Sequence, residues 1–187
     1  MRIPLESELI RQCAPTLAGL KPASLFRFVF PSLADSSRLV ASLSLILAPK
    51  NIGIELLQFD VVRRSGLLFV YRPDDLKRIV SQDSHRDFFK RQGYSRLCWQ
   101  DILAEISLRM THRASFPHEI GILLGYPLDD VEAYMAAPRK KGLCSGCWKA
   151  YSQPARARLF FEKCRKCTLI YCRCYASGIP LSRLAVA

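Results

Sequence analysis

The chain lacks most features that announce a function. It has three histidines and nine glycines, and no glycine-rich turn of the kind that cradles a phosphate. No long apolar run is present: the longest, Leu39 to Ala48, is about half the length a membrane-spanning helix needs. The opening residues M-R-I-P-L-E-S-E-L-I place two glutamates where a secretory leader has its apolar stretch. Internal repeats and low-complexity linkers are also missing. These absences point to a cytoplasmic protein with no membrane partner. In that compartment thiols stay reduced, so eight cysteines argue for ligands, redox work or packing rather than a disulfide framework.

Acid is missing from one place above all. Between Arg139 and Ala187 stand eleven Lys or Arg residues and a single acid, Glu162. Of the formal +12 of the whole chain, +10 therefore sits in this stretch and +2 in the rest. Such a balance attracts phosphates and brings non-specific nucleic-acid binding with it.

What the chain does have is ample apolar material, half of its 187 residues. That suits one domain, residues 1–187, with a Cys-rich basic segment 138–187 inside it. The periodicity predicts short helices over Glu6 to Cys13, stopped by Pro15, from near Ser24, and over Ser36 to Leu47. The pattern then changes to two apolar runs around R-R-S-G, which reads as a β-hairpin. Helices follow over Asp74 to Gln82 and from Asp83 or Ser84 to Gly93. Trp99, Ile102, Leu103, Ile106 and Met110 recur at helical spacing over 99 to 112. Ser115 and Pro117 open a helix closed by Gly125, and Asp129 or Asp130 opens another. G-C-W-K-A-Y reads as a third strand pairing with the hairpin, and Ser152 and Pro154 open a long last helix. The expected fold is α+β, mostly helical, with a small antiparallel sheet of about three strands.

Four cysteines read C-S-G-C, sixteen residues, C-R-K-C: Cys144, Cys147, Cys164 and Cys167. Two CxxC pairs at this separation have metal-site spacing, and four thiolates suit zinc or iron. At 100° per residue the last helix puts Phe160, Cys164, Cys167, Tyr171, Cys174 and Tyr175 on one face. That face equally suits core packing, where cysteine is common. Arg156, Arg158, Arg165, Lys166 and Arg173 form the opposite, polyanion-binding candidate. The aromatics of the segment, Trp148 and Tyr151 among them, are read as packing groups and not as a platform for bases.

Two further arrangements carry chemistry on paper. Cys13, before the Ala14-Pro15 bend, is a candidate thiol nucleophile with His118 as its base and Glu119 beside it. Adjacent residues on a helix point about 100° apart, so Glu119 orients His118 poorly. H-E-I-G-I-L-L-G-Y-P-L-D-D-V has the cadence of a helix-turn-helix, yet its reading helix would offer Asp129, Asp130 and Glu132 to the phosphates. Paired acids at these positions are read as helix caps.

The blocks C-A-P-T-L-A-G-L-K, V-Y-R-P, F-P-H-E-I-G, L-G-Y-P-L-D-D-V, C-W-K-A-Y and K-C-T span nearly the whole chain. On them the sequence resembles a bacterial family catalogued as a domain of unknown function, DUF3793. The resemblance implies Cys144, Cys147, Cys167 and Cys172 as family-typical positions, with Cys164 and Cys174 as extras. It also implies a His where Gln12 stands, and a redox or flavodoxin-like partner. It implies no activity. The leading expectation is a binding or accessory protein whose cysteines hold a metal or do redox work. The alternatives are a thiol enzyme and a polyanion binder.

Overall fold

The computed structural model describes residues 5–112 and 115–187. Residues 1–4, part of the stretch weighed against a secretory leader, lie outside it. The chain divides into two compact units, residues 1–73 with 166–187, and residues 74–165.

The first unit is built on three antiparallel strands, β1 (Ala23–Val29), β2 (Gly53–Asp60) and β3 (Ser65–Tyr71), in the order β1-β3-β2. β3 is central and buried at every position, as a strand paired on both edges and rich in Leu, Phe and Val should be. The expected hairpin is β2–β3, with Glu55 opposite Phe69 and Asp60 opposite Ser65. Its turn, residues 61–64, lies two residues earlier than R-R-S-G suggests. Arg64 takes the positive φ of 48°, while Gly66 is inside β3, where a Cβ would stand 2.5 Å from Leu56 and 2.7 Å from Phe30.

The third strand corrects the sequence reading twice. It is not the W-K-A-Y stretch but β1, where a helix beginning near Ser24 was expected. Alternating Phe26, Phe28 and Phe30 gain a neighbour only when β1 lies along β3, Ala23 opposite Tyr71 and Val29 opposite Ser65. Such pairing across some forty residues is invisible to local periodicity.

Two helices, α1 (Leu5–Leu17) and α2 (Leu33–Leu47), complete this unit with α9 (Leu181–Leu184). Ser32 caps α2 by accepting from the Asp35 N–H at 3.1 Å. Pro15 does not stop α1 but lies inside it. Leu9, Cys13, Leu17, Phe30, Leu47, Leu68 and Val70 form the core with Leu181 and Leu184. Arg72 closes the structure: Nε donates to Thr16 O at 2.7 Å, and Nη2 to Leu17 O at 2.9 Å and Val186 O at 2.7 Å. One planar fork thereby satisfies carbonyls at the end of α1 and near the chain's C-terminus.

The second unit holds α3 (Pro73–Val80, from Asp74 on), α4 (Asp83–Arg91), α5 (Trp99–His112), α6 (Ile120–Leu123), α7 (Leu128–Ala136), β4 (Cys144–Ser145) and β5 (Lys149–Ala150). The first part of α8 (Pro154–Ala176) also belongs to it. α5 buries Ile102, Leu103, Ile106 and Met110, as its spacing predicts. α6 is a single turn where a longer helix was expected from Ser115. β5 pairs only with β4, in a separate two-stranded ladder. Among the described residues no helix is long and apolar enough to cross a membrane.

A buried polar group stabilises this unit. Arg109 Nη1 donates to Glu119 at 2.9 Å and to Gln92 O at 3.1 Å, and its Nε donates to Glu105 at 2.8 Å. Tyr94 donates its hydroxyl to the same Glu119 oxygen at 3.0 Å and lies under the guanidinium, 3.9 Å from the ring centre. A buried guanidinium is tolerated only when its donors are occupied in this way.

Candidate functional site

The basic segment is organised from outside itself, by Asp130. This residue is 2 % exposed and lies in the first turn of α7. It does not cap its own helix, as the paired acids suggested. Oδ2 accepts from Trp148 Nε1 at 2.8 Å, while Oδ1 accepts from Tyr151 N, Ser152 N and Ser152 Oγ at 2.8, 2.8 and 3.0 Å. Four donors and the positive end of α7 hold the carboxylate without a cation. They also fix where β5 ends and α8 begins.

Between them lies the C-S-G-C turn. Cys144 pairs with Ala150 and Ser145 with Lys149, and Gly146 N donates to Trp148 O at 2.9 Å. The indole of Trp148 packs on Tyr126, Phe160 and Phe161, with ring centres 5.2, 5.6 and 4.6 Å away. Gly146 lies so close to the Phe161 ring that a Cβ would stand 2.3 Å from it. Cys144 and Cys147 are half-buried, and Cys144 Sγ approaches Pro154 O at 3.8 Å.

Among the described residues no group of three or more His, Cys, Asp or Glu side chains is placed to hold a metal ion. Cys164 and Cys167 are buried on α8, on the face that helical spacing assigns them, and burial raises the Cys167 thiol above its usual range. Their inward direction suits packing, one of the two readings given above.

The thiol-enzyme reading meets a physical obstacle. Cys13 is fully buried in the core of the first unit, because α1 continues through Pro15 instead of bending there. Burial drives its thiol far above the ordinary range, against smaller opposing pulls from Lys21 and Ser24. A nucleophile needs the thiolate. His118 lies in the second unit, edge-on to Tyr134 at 4.8 Å and 5.4 Å from Phe116. Burial lowers its pKa, with Glu119 pulling the other way. The Glu119 carboxylate is held by Arg109 and Tyr94, so it does not orient the imidazole.

The cations behave as the composition predicts. Arg156, Arg158, Arg165, Lys166 and Arg173 are all exposed. Elsewhere several of the chain's cations have carboxylate partners: Arg11 with Glu8, Arg38 with Asp35, Arg78 with Asp75, Lys90 with Asp87, Arg91 with Glu132. Among the described residues, Arg139, Lys140, Lys141, Arg156, Arg158, Lys163 and Arg165 have no carboxylate within ion-pair distance. The helix-turn-helix alternative fails on geometry, since α6 has four residues and Asp130 is buried. Sequence reasoning missed Asp130, Arg109 and Arg72. In each case the only signal was a charged residue falling inside an apolar pattern.

A family model described as "Protein of unknown function (DUF3793)" matches residues 9–185. No curated protein and no solved structure matches the chain.

Proposed function

The chain belongs to the DUF3793 family, a kinship that carries no activity with it, and for this member we propose a nucleic-acid-binding role. The second unit grips phosphate backbone through the exposed cations of residues 139–165. One observation carries the reading: among the described residues seven exposed cations of this stretch lack a carboxylate partner, whereas eight cations in the rest of the chain are spent on intramolecular pairs. A polyanion then replaces only water and counterions, and their release supplies the binding free energy. Backbone contacts of this kind position a strand without reading its sequence.

Fluorescence anisotropy with a labelled oligonucleotide, titrated across salt, tests this. The logarithm of the binding constant should fall linearly with the logarithm of salt, with a slope of about −0.7 to −0.9 per phosphate neutralised. Charge reversal at Arg156, Arg158 and Arg165 together should flatten that slope. No binding at low salt, or binding indifferent to the triple reversal, removes the proposal.

The β4–β5 hairpin favours a second reading. It holds Cys144 and Cys147 in one tight, half-exposed turn, a two-thiolate clamp for zinc or iron that needs further ligands from outside this pair. Zinc titration against a chromogenic chelator checks it. Uptake unchanged in the Cys144→Ser/Cys147→Ser variant would refute it.

A further inference from the structure

Next to the basic segment lies an aromatic cluster that the phosphate-binding role does not use. Phe116 is 39 % exposed. Its ring lies 5.4 Å from His118, which meets Tyr134 edge-on at 4.8 Å, and both of those side chains are only half-buried. The cluster is tied to the cations by one side chain. Lys149 Nζ sits 5.5 Å from the centre of the Tyr134 ring and donates to Pro138 O at 3.2 Å and Lys140 O at 3.4 Å. Tyr151 fastens the same turn by donating its hydroxyl to Lys140 O at 3.3 Å. Through Lys149 the Tyr134 ring is thus linked to the turn that carries Arg139, Lys140 and Lys141, three consecutive exposed cations.

The nearby acids leave this surface positive. Asp130 is buried among its four donors, and Glu132 is paired with Arg91 at 2.6 Å. Asp129 is exposed, but five positions before Tyr134 it points about 140° away around α7.

Aromatic faces beside a cationic track are what a single strand recognises, since every base has a π-face and each phosphate a charge. A duplex keeps its bases stacked on one another and offers these rings nothing. We infer that the second unit binds single-stranded nucleic acid, with a base stacked at the Phe116/His118/Tyr134 cluster and adjoining phosphates on Arg139 to Lys141. This rests on the phosphate-binding reading above and adds the form of the strand.

The test measures anisotropy at one low salt concentration with four probes: oligo-dT, oligo-U, an abasic strand of the same length, and a duplex. The full chain should bind the two base-bearing single strands several-fold tighter than the abasic strand or the duplex. Phe116→Ala should weaken oligo-dT and oligo-U by about five- to a hundred-fold, the usual effect of losing one stacked base, and leave the abasic strand unchanged. Phe116→Trp should restore binding, which separates stacking from a folding defect. Arg139→Ala/Lys140→Ala/Lys141→Ala should weaken every probe. A difference between oligo-dT and oligo-U tells whether the natural strand is DNA or RNA, and either is compatible with stacking. Equal affinity for abasic and base-bearing strands, or Phe116→Ala matching wild type, overturns this inference and leaves backbone binding standing. No binding to any probe overturns both.

Discussion

Asp130 accepts the indole N–H of Trp148 at 2.8 Å, joining the L-G-Y-P-L-D-D-V block to the C-W-K-A-Y block. The same carboxylate then takes two backbone N–H groups and a hydroxyl from Tyr151 and Ser152. Replacing it by Ala strands several buried donors. We expect Asp130→Ala to cost about 3 kcal/mol, read by urea unfolding followed through tryptophan emission. Asp130→Asn, which keeps one acceptor oxygen, should cost less. A loss under about 1 kcal/mol for the alanine variant would show that water takes over these donors.

Arg72 is the corresponding fastener of the first unit. Arg72→Ala should free the carbonyls of Thr16, Leu17 and Val186 and destabilise by about 2 kcal/mol. Arg72→Lys should rescue little, because an ammonium cannot span three acceptors as a planar fork does. Hydrogen exchange gives a local readout. The Val186 amide donates to Leu17 O at 3.0 Å, and its exchange should accelerate well beyond that of β3 amides in the same variant.

Cys13 predicts a pH dependence with a definite sign. Burial raises its folded-state pKa above the unfolded value of about 8.5. The folded chain holds that proton more tightly, so the stabilisation is full below about pH 8.5 and erodes as pH rises beyond it. Tyr71 and Tyr94, both raised first by burial, extend the decline above about pH 10. Melting temperatures from pH 7.5 to 10 should fall more steeply for wild type than for Cys13→Ala. Iodoacetamide should label the exposed Cys98 well before Cys13, and rapid native labelling of Cys13 would contradict its place in the core.

Gly146 and Phe161 make a pair that a double-mutant cycle resolves. A methyl at position 146 would meet the Phe161 ring at 2.3 Å, so Gly146→Ala should cost about 1–3 kcal/mol through overpacking. In a Phe161→Ala background the same change should cost almost nothing. Additive losses would mean that the C-S-G-C turn needs glycine for a reason other than this contact.

The sequence alone determined whatever depends on a local repeat or on composition. The stripe of α5 is legible because Ile102, Ile106 and Met110 recur at the helical period, and the face of α8 because Cys164 and Cys167 do. The β2–β3 hairpin is legible from two apolar runs around a short turn. The concentration of positive charge needs only counting. Tertiary structure decided everything that depends on a distant partner. β1 is a strand because β3 offers it an edge, and W-K-A-Y pairs with its near neighbour β4 instead of the distant hairpin. The roles of Asp130, Arg72 and Arg109 exist only once donors and acceptors from separate elements meet. Cys13 changes from candidate nucleophile to core residue because α1 continues through Pro15 and buries the sulfur. Within the basic segment Phe160 and Phe161 pack on Trp148, while Tyr171 and Tyr175 pack against the core of the first unit. The exposed cluster of Phe116, His118 and Tyr134 comes from before the segment, and Tyr134 reaches Lys149 only through the fold. Periodicity reports which face of an element is buried. It carries no information about which face of another element will lie opposite.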